Sequence, residues 1–249
     1  MTEQRYGLIN KIARWLFIAC LPPFFLSAAI AITVNLPPLY SYGFERYNIT
    51  DVTGIEKDQL EVAAAELRGY FNSDEEYISV TVIRNGEPFD LFNEKETIHL
   101  KDVKDLFRMD YLIMGITFAY ILGYAVFSLA KKEKRRLAKA SAWSGGITLG
   151  LMLIIGVGIL FGFDSLFWQF HEIAFSNDFW LLDPSKDFLV MMFPDGFWYD
   201  AAALIAILAA LGAVITGGGG LYLQLLRMDQ GCRHHLLWSR LQQAAVMIP

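Results

Sequence analysis

The sequence predicts a membrane α-helical protein: four transmembrane helices with a small α+β extracytoplasmic cap built on a hairpin-based β-sheet. Three observations carry that prediction. The 249-residue chain is 55% hydrophobic and 14% aromatic with only 19% charged residues, a balance found in polytopic membrane proteins rather than soluble domains. Four apolar runs, Trp15–Val34, Tyr111–Ala130, Ala142–Phe163 and Ala201–Leu226, each reach the roughly 20 residues a helix needs to cross a bilayer. Between the first two runs, residues 35–110 are numerous enough for a small folded domain and carry both helix and hairpin patterns.

The first run follows Arg5, Lys11 and Arg14. A secretory signal would have a shorter apolar core and a cleavage site. The "FIAC" around Cys20 is faintly similar to a lipoprotein-processing site, but Phe17 fits poorly and the apolar stretch before it is too short. The run therefore reads as a retained helix, with Pro22-Pro23 as a candidate kink.

Basic residues orient the helices. The N-terminal Arg5, Lys11 and Arg14, the cluster "KKEKRRLAK" from Lys131 to Lys139, and Arg227, Arg233 and Arg240 of the tail all belong on the cytoplasmic side. Residues 1–34 are then a cytoplasmic N-terminus and the first span, and 35–110 an extracytoplasmic α+β segment. Residues 111–163 hold the second and third spans around a basic cytoplasmic loop, 131–141. Residues 164–200 form an extracytoplasmic interfacial segment, 201–226 the fourth span and 227–249 a cytoplasmic tail. The Lys131 cluster reads as this topology signal rather than as a nucleic-acid or anionic-lipid site, and its placement says more than the net charge of −5. Cys20 and Cys232 lie near opposite ends and form neither a disulfide framework nor a metal-binding spacing. The Gly217–Gly220 run inside the fourth span fits close helix packing or bending.

Within the first outer segment, "DQLEVAAAELRGYF" puts Leu60, Ala63, Ala64, Leu67 and Phe71 on one helical face, and Asp58 with Glu61 fits a capping box. Ile78, Val80 and Val82 alternate with Ser79 and Thr81, Asn85-Gly86 is a hairpin turn, and Pro88 pushes the return strand to an edge. In "TIHLKDVKDLF" the residues Leu100, Val103, Leu106 and Phe107 keep helical spacing into the second span. His99 then sits near the first turn of a helix, where the positive dipole end disfavours an imidazolium and leaves a neutral, proton-accepting ring. In the second outer segment Leu166, Phe167, Phe170, Ile173 and Ala174 form one apolar stripe, with Trp168, Trp180, Trp198 and Tyr199 suited to the membrane interface. That predicts a helix in the headgroup layer carrying His171. "LLDPSKDFLVMMF" reads as a turn at Asp183-Pro184 and a strand-like run able to extend the hairpin sheet.

His99 and His171 are thus predicted at one level, whereas His234 and His235 fall on the cytoplasmic tail. Acidic or amide groups accompany each: Asp102 beside His99, and Glu172, Asn177 and Asp178 beside His171. Ionisable groups near a membrane tend to mark function, although interfacial histidines satisfied by local hydrogen bonds explain the pattern equally well. A metal site is weakly signalled, since "HEIAF" has Phe175 where HExxH needs its second histidine. Ser165 and Ser176 lie near His171, but there is no GxSxG, Walker or GxGxxG motif.

At "TIHLKDVKDLF" and "FHEIAFSNDFWLLDP…FP", and at Tyr47-Asn48 in the first outer segment, the chain resembles the bacterial lipoprotein intramolecular transacylases. The resemblance covers the whole outline, including the spacing of the two histidines; Glu56 to Glu76, the Gly217 run and the tail do not map onto it. It implies an acyltransferase of the bacterial cell membrane acting on diacylglyceryl lipoproteins. The sn-2 ester acyl chain of the glyceryl group moves to the α-amine of the N-terminal cysteine, leaving an N-acyl cysteine and a lyso-form lipoprotein. Donor and acceptor share one molecule, so the resemblance implies no cofactor and no metal. It also implies His99 and His171 as the catalytic pair; Tyr47, Asn177 and Asp178 are expected to orient the imidazoles or the oxyanion. A non-enzymatic membrane protein whose outer domain binds a partner or lipid is the alternative, and a metal-dependent lipid hydrolase a more remote one.

Overall fold

The protein is described by a computed structural model covering the backbone of residues 2–246 and the side chains of 7–225. The side chains of Arg5, Arg227, Cys232, Arg233, His234, His235 and Arg240, which the sequence assigns to the cytoplasmic side, lie outside the described residues. In chain order the elements are α1 (Thr2–Val34), α2 (Pro37–Arg46), α3 (Ile49–Thr53), α4 (Lys57–Phe71), β1 (Thr81–Arg84), β2 (Glu87–Asp90), α5 (Glu94–Ala130), α6 (Lys134–Ala174), α7 (Phe188–Met192) and α8 (Asp195–Val246). Among the described residues four helical stretches are long and apolar enough to cross a membrane: Gly7–Val34, Glu94–Ala130, Lys134–Ala174 and Asp195–Leu225. Their outward side chains are as apolar as their buried ones. Leu153, Ile154 and Phe161 are 69%, 70% and 86% exposed, as a surface in contact with lipid requires.

The chain divides into two compact units. The first holds residues 1–25, 116–151 and 210–249. Phe17, Ile18, Leu21 and Ala140 form its core, with Phe25, Tyr120, Tyr124 and Leu137 packed around them. Backbones approach closely here. A Cβ on Gly145 would lie 2.6 Å from the Gly217 Cα, and one on Gly220 would lie 2.5 Å from the Ala138 carbonyl oxygen. Two members of the glycine run therefore serve close α6–α8 packing. The Ser144 hydroxyl donates to the Ile18 carbonyl at 2.9 Å, and α1 continues through Pro22-Pro23. The expected loop 131–141 is shorter than its charge suggested: only residues 131–133 separate α5 from α6, and the rest of the basic cluster is already helical. Leu137 and Ala140 explain this, since they must bury against the core.

The second unit, residues 26–115 and 152–209, contains the small α+β part. Its core joins Tyr40 and Phe44 of α2, Leu60 and Leu67 of α4, Val82 of β1, Leu100 of α5, Met192 of α7 and Phe197 of α8. The predicted inward faces hold: Leu60, Ala63, Ala64, Leu67 and Phe71 are buried, as are Ile78, Val80 and Val82. Strands β1 and β2 pair antiparallel with Val82 opposite Phe89, and Asn85 and Gly86 supply the positive φ values, 54° and 84°, that a two-residue hairpin turn requires. Two readings change. The α4 N-cap is Glu56, without a side-chain cap, so Asp58 lies inside the first turn and builds no capping box. The run after Asp183-Pro184 is the short helix α7, and the sheet of the described residues has two strands only. The period of Leu189 and Met192, both buried, is helical.

Overfilling the close helix contact gives a direct check. Gly145→Leu lowers stability by about 1–3 kcal/mol, read as a fall in thermal midpoint in detergent. Gly146→Leu is the control, because a Cβ there meets nothing within 4 Å, and leaves the midpoint unchanged.

Candidate active site

His99 is placed by the start of α5. Asn93 and Glu96 form a reciprocal cap: the Asn93 Oδ1 accepts the Glu96 N–H at 3.1 Å, and the Glu96 Oε2 accepts the Asn93 N–H at 2.8 Å. The other Glu96 oxygen accepts the Leu189 N–H of α7 at 2.7 Å. Asn93 Nδ2 donates to Asp187 Oδ1 at 2.9 Å, and Asp187 Oδ2 accepts the Asp183 N–H at 2.7 Å. Both carboxylates are almost fully buried, 1% exposed for Glu96 and 2% for Asp187. This knot fixes the helix start one turn before His99. It also makes α7 a helix, since Glu96 satisfies an N–H at its beginning.

His171 lies on the last part of α6, beyond Gly162, where the backbone leaves helical values. Its Nδ1 is 2.7 Å from the Phe167 carbonyl oxygen. A carbonyl can only accept, so Nδ1 carries the proton and Nε2 keeps the lone pair. The two rings stand close, with centroids of His99 and His171 6.0 Å apart. Phe175 touches both, at 5.0 Å from His99 and 5.5 Å from His171. Phe167 and Trp180 flank His171 at 4.4 Å and 5.1 Å.

Of the other predicted residues, Asn177 joins the two elements: its Nδ2 donates to Asp102 Oδ2 at 2.9 Å, one turn beyond His99 on α5. Asp178 is exposed, and its carbonyl accepts the Leu181 N–H at 3.2 Å within the same loop. Tyr47 serves another place. Its hydroxyl donates to Asp200 Oδ2 at 2.8 Å and its ring lies against Gly196, where a Cβ would come within 2.6 Å. Sequence reading missed Asn93, Glu96 and Asp187. The Asn-x-x-Glu spacing ahead of an apolar helix was the signal for the first two; nothing local marked Asp187.

Both histidines lie outside the apolar runs 111–130 and 142–163. Burial pushes His99 down from 6.5 to about 4, helped by the His171 and Lys95 charges. Burial also lowers His171, against the opposing pull of the Phe167 carbonyl and the Asp195 charge. Both rings are therefore neutral at pH 7. For His99 the cause is burial first rather than the helix dipole. Its Nδ1 is buried without a hydrogen-bond partner among the described residues, an arrangement that costs free energy unless a further group meets it.

These features define a multi-pass helical membrane protein with a neutral histidine pair held by its small α+β unit. The lipoprotein intramolecular transacylase family, Lit, matches residues 15–198. The chain belongs to that family, and it is an acyltransferase. The structure of the membrane-integral lipoprotein intramolecular transacylase Lit from Bacillus cereus superposes with a TM-score of 0.77 over 90% of this chain and 99% of that one, at 23% identity. A variant of that enzyme with one histidine replaced by alanine gives 0.73 over 92% of this chain and 100% of that one, at 22% identity. An uncharacterised protein of Aquifex aeolicus (strain VF5) is 27% identical over 77% of this chain and 84% of its own length.

The Glu96 knot is testable. Glu96→Ala strips two backbone N–H groups of their acceptor, at a cost of about 1–3 kcal/mol for each buried group left unpaired. A lower thermal midpoint in detergent is expected, with Glu96→Gln falling between it and the parent, because one amide oxygen can still accept.

Proposed function

We propose that this chain moves the sn-2 ester acyl chain of a diacylglyceryl lipoprotein to the α-amine of its N-terminal cysteine, with His99 and His171 as the acid–base pair. The observation that carries this reading is the pair itself: two neutral imidazoles 6.0 Å apart, one with a fixed tautomer and one with a buried, unpartnered nitrogen. His171 Nε2 is the base that takes the amine proton. His99 meets the ester carbonyl or the departing glyceryl oxygen.

The reaction balances within one substrate. The amine nitrogen bonds to the ester carbonyl carbon, the carbon–glyceryl oxygen bond breaks, and the proton lost by nitrogen ends on that oxygen. Ester and amine are tethered, so attack is effectively unimolecular. A neutral imidazole accepts the proton that nitrogen loses and, once charged, returns it readily to the departing oxygen. Asn177 acts through Asp102 by tying the His171 segment to α5; Asp178 shapes the same loop. The aromatic surround keeps water from competing with the amine for the ester carbonyl.

The reading also carries an orientation. The basic cluster of residues 131–139 supports a cytoplasmic α5–α6 connection. The histidine pair, at the opposite ends of those helices, then faces the outer membrane interface, where the glyceryl head of a lipid-anchored substrate lies.

Mass spectrometry of a lipoprotein N-terminal peptide, from cells lacking N-acylation activity, tests the reaction. The intact protein yields N-acyl, mono-acylglyceryl cysteine and His171→Ala does not. A lipoprotein that stays diacylglyceryl with a free amine despite normal expression overturns the reading and favours a binding protein. The pH profile adds a second check. Both histidine pKa values lie below 6.5, so protonation of the pair costs activity only below that pH, as a proton occupies His171 Nε2. The substrate α-amine, with a pKa of about 7.7–8.0, adds a separate acid limb of its own. Two limbs are therefore expected, and a histidine limb above pH 6.5, separate from that of the amine, contradicts the assignment.

A further inference from the structure

Acyl transfer to an amine passes through a tetrahedral intermediate whose former carbonyl oxygen is negatively charged, and such an oxyanion needs a donor fixed in place beforehand. The residues expected to supply one are engaged elsewhere. The Tyr47 hydroxyl donates to Asp200. The Asn177 amide donates to Asp102, and its Oδ1 accepts the Phe179 N–H at 3.1 Å. A carboxylate such as Asp178 has no proton to donate. One cation stands at the histidine pair instead. Lys95 lies four residues before His99 on α5, hence on the same helical face. Its ammonium donates to the Leu181 carbonyl. Leu181 follows Trp180, whose ring is 5.1 Å from that of His171. Lys95 therefore reaches from the helix of His99 to the loop that flanks His171. The neighbouring cations of α5 are already used: Lys101 and Arg108 pair with Asp105 at 3.3 Å and 3.9 Å, and Lys104 donates to the Glu75 carbonyl at 2.6 Å. Among the described residues Lys95 has no carboxylate partner, and a single carbonyl uses only one of its three N–H donors. Its charge reaches His99, which is 6% exposed with an Nδ1 that meets no partner.

We propose that the Lys95 ammonium is the oxyanion donor of this acyltransferase, a catalytic residue that binds the sn-2 ester carbonyl oxygen and holds it as it becomes charged. The proposal rests on the transacylase reading and adds the charge that the neutral histidine pair lacks. As the amine nitrogen bonds to the carbonyl carbon, the C=O π pair moves onto oxygen, facing Lys95. When that pair returns, the C=O bond re-forms and the bond to the glyceryl oxygen breaks. The proton lost by nitrogen passes through the histidines to the glyceryl oxygen, and Lys95 keeps its own protons throughout. His99 is left to serve the departing oxygen. The same cation disfavours a proton on His99, so one charge both holds the oxyanion and keeps the pair neutral. The uncharged ester and amide gain less from an ammonium than the charged intermediate between them, so the contact lowers the barrier without trapping substrate or product.

The test uses the full-length protein and two inert glyceryl cysteinyl-tetraserine peptides, each with an ether-linked sn-1 hexadecyl chain. One carries a hexadecylphosphonate monoester at sn-2, a tetrahedral anion in the place of the intermediate. The other carries an sn-2 hexadecyl ether. The parent is expected to bind the phosphonate roughly tenfold or more tightly, and equal affinities overturn the proposal without any substitution. Lys95→Met weakens phosphonate binding roughly tenfold to a hundredfold, the range of one hydrogen bond to a charged group, and leaves ether binding unchanged. Lys95→Arg keeps most of the preference. Lys95→Gln retains a donor for the Leu181 carbonyl without the charge and follows Lys95→Met, which separates the charge from any part in holding the loop. With the ester-linked peptide, Lys95→Met lowers kcat roughly 100-fold and changes KM little. A raised KM at unchanged kcat, or equal weakening of both probes, overturns the proposal. Conversion of the ester peptide by the parent protein reports separately on the transacylase reading. A protein that converts it yet binds both probes alike keeps that reading and loses this proposal.

Discussion

A single buried carboxylate organises the α+β unit. Glu96 accepts N–H groups from Asn93 and Leu189, at 2.8 Å and 2.7 Å, and so begins α5 and α7 at once. A carboxylate so buried persists only when its lone pairs are used. The chain around Asp183 and Asp187 is folded to use the remaining polar groups of the same knot. His99, one turn along α5, inherits its place from that arrangement. The Asp102–Asn177 bond then brings the loop after α6 to the same helix, and with it Phe175, whose ring separates neither histidine from the other but packs on both.

The consequence is electrostatic asymmetry between two like side chains. His171 spends Nδ1 on a carbonyl and keeps Nε2 free. His99 is buried more deeply and keeps a nitrogen without a partner. Aromatic surroundings lower the charge tolerance of both rings. A neutral pair able to pass one proton between nitrogen and oxygen is what an ester-to-amide shift needs, and no external acyl carrier enters the balance.

Much of the fold was legible because the signals were long or local. Four runs of about 20 apolar residues, the Asn85-Gly86 turn and the alternation of Ile78, Val80 and Val82 each stand on their own. The two histidines were singled out from motifs in separate elements, which the resemblance joined, and their rings stand 6.0 Å apart. What escaped was either short or non-local. The run after Pro184 has β-compatible residues, and its helix rests on the burial of Leu189 and Met192 and on a bond from the Leu189 N–H to Glu96, 93 residues away in sequence. The basic cluster read as a loop because charge outweighed the half-buried Leu137 and the buried Ala140. Tyr47 was expected to orient an imidazole or the oxyanion; its bond to Asp200, across 153 residues, has no local trace.

The central claim is that His99 and His171 act as one proton-transfer unit. The most direct measurement is turnover of an ester-linked diacylglyceryl cysteinyl peptide by the purified protein, its two single alanine variants and the double variant. Members of one catalytic unit are non-additive. The account predicts that each single variant loses nearly all activity and that the double variant is no slower than the worse single. Multiplying losses, or a single variant that keeps substantial turnover while correctly folded, would contradict it.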